Sequence, residues 1–246
     1  MPARSNIEES RRMLVEAVET VRSRGTVDKT LLELQEQGQR WWERDDIIWF
    51  EIVLSLATQG GSYGSRLVTN DEGEIDQHRY GSVAFRTLEQ VDPNHRSTYL
   101  ESRLYSTVRM QSMKAEALEQ NFEMIKEKYG DPRGAKEAFI DKNGPEAKIE
   151  FLKQFKRIGD KYARNIPMDL YLNEFREFIA IDSRIKGIMK EAGYPVGERG
   201  YAECEEFLRS VASESNMEPW ELDRTLYNFE DDIDTILSEI CQSTRE

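Results

Sequence analysis

The stretch Phe151-Leu-Lys-Gln-Phe-Lys-Arg-Ile-Gly-Asp-Lys-Tyr-Ala-Arg-Asn-Ile166 places a helix, a tight turn and a second helix in direct succession. We predict the turn at residues 156–159, because Gly159 permits a sharp bend and a close approach to the backbone. The second helix should begin at Asp160 and end before Pro167. Its first amides point outward, so a turn of this kind suits an anion such as a phosphate. By itself, however, the pattern is more typical of an ordinary helical corner.

The sequence outside this stretch also predicts helices and contains no convincing alternating strand pattern, so the fold class is all-α. Polar residues 71–79 are expected to form an exposed loop, and residues 168–178 a helix or an extended turn. The acidic tail from residue 230 keeps isoleucines at helical spacing and is interpreted as a solvated helix face. The other predicted helices cover residues 5–23, 28–42, 46–58, 82–90, 96–109, 112–129, 132–140, 145–155, 182–192, 199–213 and 218–229.

Composition limits the class of protein. The chain has 246 residues and a net charge of −13, and no apolar run is long enough to span a membrane. Two cysteines exclude an internal disulfide framework and an iron–sulfur cluster held within the chain. The acidic total argues against nucleic-acid binding, yet residues 147–164 carry six basic and two acidic side chains. The local field, rather than the total charge, decides where a polyanion docks.

A second segment of interest is Ile179-Ala-Ile-Asp182, which precedes a predicted helix. Aspartate is a favoured N-cap residue, and an aspartate in this position is usually only a cap. Considered together, the two segments resemble the helix-hairpin-helix DNA glycosylase superfamily, which includes endonuclease III and the 8-oxoguanine glycosylases. The family hairpin reads approximately Leu-Pro-Gly-Val-Gly-x-Lys-Thr-Ala. Gly159, Lys161 and Ala163 match its second glycine, its catalytic lysine and its alanine, and Asp182 matches the family's downstream aspartate.

The resemblance covers about residues 45–192. Residues 113–118 are similar to the Lys-Ala-x-x-Leu helix before the family hairpin, and residues 52–58 are similar to the first helix of the family barrel. The chain also departs from the family. Lys156 and Arg157 replace the hairpin's proline and first glycine, so the turn is looser or Arg157 itself contacts phosphate. The family's Leu-Ser-x-Gln segment is not reproduced.

The resemblance implies two helical subdomains flanking a cleft, with a helix-hairpin-helix motif. Residues 45–166 would form the barrel subdomain and end in the motif at about 151–166. Residues 1–44 and 167–246 would form the second subdomain.

The resemblance also implies a DNA repair enzyme that flips a damaged base into a pocket and cleaves its N-glycosidic bond. Lys161 would attack the sugar as a neutral amine and form a Schiff base, giving AP-lyase activity, while Asp182 would stabilise positive charge on the sugar. Residues expected to contact DNA are Lys156, Arg157, Ile158, Gly159 and Arg164, and Gln59 is a candidate for the base pocket or wedge. The expected partner is duplex DNA containing a damaged base.

We expect a monomer in the cytoplasm, associated with the nucleoid, that needs no metal, iron–sulfur cluster or other cofactor. Three alternatives stay open: a monofunctional glycosylase that uses water, a non-catalytic helix-hairpin-helix DNA-binding protein, and a helical interaction module without a DNA role. Residues 60–64 also fit Gly-x-Ser-x-Gly, but that motif requires a preceding strand, and we interpret the match as coincidence.

Overall fold

The computed structural model describes residues 4–60, 64–71, 73–104 and 108–243. Within these ranges every extended regular element is a helix, and one isolated antiparallel bridge joins Thr69 and Ile75. The predicted all-α class is confirmed. The α-helices are α1 (Arg4–Ser23), α2 (Val27–Trp42), α3 (Ile47–Thr58), α4 (Gln77–Gly81), α5 (Phe85–Glu89), α6 (Arg96–Leu104), α7 (Gln111–Tyr129), α8 (Pro132–Ile140), α9 (Pro145–Leu152), α10 (Asp160–Asp169), α11 (Ser183–Glu191), α12 (Tyr201–Glu214), α13 (Pro219–Asn228) and α14 (Glu230–Ser243).

The chain divides into two compact units. The central unit is Arg40–Ile166, and the terminal unit combines Met1–Gln39 with Pro167–Glu246. The boundaries therefore fall inside α2 and α10, whereas the sequence interpretation placed the first of them after residue 44. No described helix is both long enough and apolar enough to cross a membrane.

The core of the central unit forms around α3. This helix is apolar on nearly all sides and is buried over most of its length, as expected for a helix without a solvent face. It packs against α7 and α8. The indole N–H of Trp49, which is fully buried, donates to the Val83 carbonyl oxygen at 2.9 Å, so the polar atom of this large side chain has a partner.

The core of the terminal unit is a helical cluster in which α1 packs against α12 and α14, and α11 packs against α13 and α14. The acidic tail contributes to this core, because Ile233, Ile236 and Leu237 on α14 are buried while Asp231, Asp232 and Glu239 are exposed. The helical spacing of the three buried residues is what places them in one stripe.

Several local predictions need correction. Helix α9 ends at Leu152 rather than at residue 155, so the connection to α10 covers residues 153–159 and not only 156–159. Helix α10 does not end before Pro167 but continues to Asp169, because a proline removes one hydrogen bond while its own φ suits a helix. Residues 71–79 are not simply an exposed loop, since Ile75 pairs with buried Thr69 and α4 begins at Gln77. Residues 168–178 are largely irregular beyond the end of α10, with one 3₁₀ turn at Asn173–Phe175.

Candidate functional site

The turn between α9 and α10 is the first part of the candidate site. Helix α9 ends at Leu152, and α10 begins at Asp160. Arg157 has a φ of 67°, in the left-handed region that favours glycine. An added Cβ at Gly159 would meet no atom within 4 Å, so the space beside this residue is open. The strained residue of the turn is thus Arg157, while Gly159 leaves room beside the backbone.

Two polar side chains of the central unit hold the backbone of this turn. Asn121 on α7 accepts a hydrogen bond from the Lys156 N–H at 2.6 Å and donates to the Lys156 carbonyl oxygen at 3.2 Å. Gln59, the residue after α3, donates from Nε2 to the Arg157 carbonyl oxygen at 2.9 Å. Gln59 was predicted to belong to a base pocket or wedge, and the structure places its amide against the turn. Because Asn121 is buried, its two bonds constrain the turn strongly.

The side chains predicted to contact DNA differ in exposure. Lys156 and Arg157 are exposed, and the Arg157 guanidinium contacts Sδ of Met113. Ile158 is buried, so at this position only the backbone is available to a ligand. Arg164 folds back along α10 and donates to the Asp160 carbonyl oxygen at 3.2 Å. Among these residues, the exposed positive charge therefore comes from Lys156 and Arg157.

Lys161 lies in the first turn of α10 and is half-buried. Its Nζ lies 5.3 Å from the ring centroid of Tyr162. The preceding residue, Asp160, forms an ion pair with Lys153 at 3.0 Å, and this bond holds the pKa of Asp160 below its usual value. The carboxylate beside Lys161 in sequence is thus paired with a cation across the turn.

A lysine that the sequence interpretation gave no role lies next to this turn. Lys114 on α7 is buried, and its ammonium donates to the Gln59 carbonyl oxygen at 2.7 Å, at the C-terminal end of α3. Burial, followed by repulsion from Arg157, lowers the pKa of Lys114 to about 8. The sequence signal for Lys114 was its place in the Lys-Ala-x-x-Leu pattern, but that pattern does not show that the lysine side chain is buried.

Asp182 belongs to the terminal unit, whereas Lys161 belongs to the central unit. Asp182 is the N-cap of α11, and one carboxylate oxygen accepts from the N–H groups of Arg184 at 2.9 Å and Ile185 at 3.1 Å. The side chain is half-buried. The positive end of a helix stabilises a carboxylate at such a position, and the two bonds fix its orientation.

The segment that leads to Asp182 is held by two further residues. The hydroxyl of Tyr201 donates to the Ile179 carbonyl oxygen at 2.6 Å. The carboxylate of Asp223 accepts from the Ala180 N–H at 2.7 Å. Both contacts join residues far apart in sequence, which is why sequence reasoning missed them.

Asp223 is a buried carboxylate with a raised pKa, because burial disfavours its charged form. The Arg224 guanidinium lies 3.3 Å from the Asp223 carboxylate and favours its charged form, which partly offsets the rise in pKa. Arg224 also pairs with Asp169 at 3.0 Å. These three residues form a charged network next to the segment that positions Asp182.

Residues 61–63 of the Gly-x-Ser-x-Gly match lie outside the described residues, as do residues 105–107. In the part of the chain that the structure describes, no group of three or more His, Cys, Asp or Glu side chains is arranged to hold a metal ion. Comparison with protein-family models, with curated proteins and with solved structures found no match. The functional conclusion therefore depends on the site itself.

Proposed function

We propose that this chain is a DNA glycosylase of the helix-hairpin-helix kind, with Lys161 as its nucleophile and Asp182 as the carboxylate that stabilises charge on the sugar. The observation that carries the proposal is the pairing of two local geometries in one chain. A clamped turn precedes the helix that bears Lys161, and a rigid helix cap carries Asp182.

The turn supports binding to a nucleic-acid backbone. Lys156 and Arg157 are exposed, and the space beside Gly159 is open to a phosphate oxygen. Backbone amides and cations at such a turn hold phosphates without reading the base sequence. A backbone clamped by Asn121 and Gln59 also loses little freedom on binding.

The cap supports the chemical role of Asp182. A carboxylate fixed by two amides keeps its position and needs little reorganisation when positive charge develops nearby. The hydrogen bonds that Tyr201 and Asp223 form with Ile179 and Ala180 fix the backbone just before this cap.

In the proposed reaction Lys161 first gives its ammonium proton to water, and the lone pair of Nζ then attacks the sugar C1′ of a flipped nucleotide. The N-glycosidic bond breaks, its electrons leave on the base nitrogen, and the departing base takes a proton from water. The amine then loses its proton, and opening of the sugar ring gives a Schiff base. Elimination of the 3′ phosphate from that intermediate would account for strand cleavage. If water attacks instead of Lys161, the enzyme is monofunctional.

Borohydride trapping on a panel of lesion-bearing duplexes tests the role of Lys161. We expect a covalent protein–DNA adduct with wild type and none with Lys161→Gln. Lys156→Gln is the matched control, because it removes a cation from the same turn and should only weaken DNA binding. Base release by Lys161→Gln at the wild-type rate would remove Lys161 from the mechanism.

Asp182→Asn separates the glycosylase from a non-catalytic DNA-binding protein. Asparagine is also a good N-cap, so the variant should keep the stability of α11, whereas Asp182→Ala should cost about 1 kcal/mol. We expect Asp182→Asn to bind duplex DNA as wild type does and to lose base release. If wild type binds DNA but releases no base from any lesion in the panel, the non-catalytic alternative is correct. If no salt-dependent DNA binding is found, both DNA functions are wrong.

A further inference from the structure

The central unit contains a second feature that the glycosylase proposal does not use. A cavity of about 480 Å³ opens beside the 3₁₀ turn at Gly64–Leu67, between that turn, α4 and α6. It shares no residue with the turn between α9 and α10. Apart from Leu67, the residues that line it have polar or charged side chains; they are Arg66, His78, Arg79, Ser82, Ser102 and Arg103.

The charge of this cavity is unusual for the chain. Three arginines line it, and none of the lining residues that the structure describes is acidic, in a protein whose net charge is −13. Clustered like charges repel one another, and an anion bound among them relieves that repulsion. The neighbouring Asp76 pairs with Arg79 at 3.1 Å.

Arg79 is held in place by the protein. Its Nη1 donates to the Thr69 carbonyl oxygen at 3.0 Å, and its Nε pairs with Asp76. The Asp76 carboxylate also caps α4 by accepting from the Arg79 N–H at 3.0 Å. One guanidinium of the cavity is therefore positioned before any ligand arrives.

On the α6 side of the cavity, Arg103 and Ser102 both contact Tyr99. The guanidinium of Arg103 stacks over Tyr99, with its Cζ 4.7 Å from the ring centroid. Tyr99 in turn donates from its hydroxyl to the Ser82 carbonyl oxygen at 2.9 Å. Ser102 and Ser82 donate their hydroxyl protons to the carbonyl oxygens of Tyr99 and Arg79, so both hydroxyls already have acceptors within the protein.

We propose that this cavity binds a phosphate group. Guanidinium groups from three separate segments line it, and planar guanidinium donors recognise phosphate oxygens in proteins. The volume exceeds what one phosphate needs, so the group is attached either to a small molecule of nucleotide size or to the DNA backbone. The inference stands on the cavity alone and does not require the glycosylase activity.

Calorimetric titration of the full chain with inorganic phosphate and with a nucleoside monophosphate tests the site. Arg66→Gln and Arg103→Gln should each weaken binding about tenfold or more, the effect of losing a charge-assisted hydrogen bond. Arg86→Gln is the matched control, because Arg86 is exposed on α5 in the same unit and does not line the cavity. Arg79 is left unchanged because it also supports α4. Thermal unfolding of each variant checks that the fold is retained.

A parallel titration with duplex DNA identifies the source of the phosphate. If the cavity takes a backbone phosphate, Arg103→Gln should reduce the salt dependence of DNA binding by about one phosphate contact. If it takes a small molecule, DNA binding should be unchanged while phosphate or nucleotide binding falls. The proposal is overturned if neither phosphate, nucleotide nor DNA binding responds to Arg66→Gln and Arg103→Gln. Loss of base release in Lys161→Gln would not affect this result, so the two proposals fail independently.

Discussion

At the scale of single residues, Lys114 combines burial with a pKa of about 8. An ammonium in this position is stabilised by the carbonyl oxygens at the end of α3, but it has lost its water and lies near the positive Arg157. We interpret Lys114 as a residue that ties α7 to the end of α3.

The lowered pKa of Lys114 predicts a pH dependence of stability. Between about pH 8 and about pH 10.5, Lys114 is protonated in the unfolded chain and deprotonated in the folded protein. The free energy of unfolding therefore rises with pH across this interval. The unfolding free energy of wild type minus that of Lys114→Met should therefore increase from about pH 7 to about pH 10, by up to about 3 kcal/mol. Urea unfolding at several pH values measures it.

Lys128→Met is the control for that experiment, since Lys128 is exposed on the same helix. Its difference from wild type should stay constant with pH. A constant difference for Lys114→Met as well would mean that Lys114 keeps an ordinary affinity for its proton in the folded protein.

At the scale of elements, the turn between α9 and α10 depends on one unusual backbone angle. Arg157 has a positive φ, which is unfavourable for any residue with a Cβ. The turn keeps this geometry because Asn121 and Gln59 bind the carbonyl oxygens of Lys156 and Arg157. The turn therefore holds a residue with a side chain in the left-handed region, and that side chain carries a positive charge.

Two substitutions at Arg157 separate backbone strain from loss of the side chain. Both Arg157→Gly and Arg157→Ala remove the guanidinium, but only glycine relieves the positive φ. We expect Arg157→Gly to be more stable than Arg157→Ala by about 1 kcal/mol, measured by denaturant unfolding. Equal stability of the two variants would indicate that the turn does not hold residue 157 in the left-handed region.

At the scale of the whole molecule, the dominant physical quantity is the net charge of −13. Acidic residues are spread along the chain, while the described basic clusters are local: the turn that carries Arg157 and the cavity lined by three arginines. A polyanion would be attracted only at such positions and repelled elsewhere. The pattern also raises the hypothesis that the chain works at high salt concentration.

The net charge predicts that salt stabilises the folded protein. Raising the NaCl concentration from about 0.1 M to about 1 M at neutral pH should raise the unfolding temperature, because screening weakens self-repulsion in the compact state. The control is the same comparison near pH 4.9, where the net charge is close to zero and the increase should be much smaller. An unfolding temperature that does not change with salt at neutral pH would contradict the high-salt hypothesis.

Much of the fold was predictable because the signals for it are local. The apolar run of α3, the glycine and aspartate at the start of α10, and the N-cap at Asp182 each act through neighbouring residues, so they can be identified without knowing what packs against them. Helix boundaries were predicted wrongly where one local signal is compatible with two structures. Pro167 ended the predicted helix, yet in the structure the helix continues beyond it.

By itself the sequence determined the all-α class, the position of the helix–turn–helix segment and the candidacy of Lys161 and Asp182. Only the tertiary structure decided that Asn121 and Gln59 clamp the turn, that Lys114 is buried, that Asp223 and Tyr201 support the approach to Asp182, and that three arginines share one cavity. The physical reason is sequence separation. Helical periodicity relates residues within a turn or two, whereas burial and long-range hydrogen bonds depend on which distant segments the packed core brings into contact.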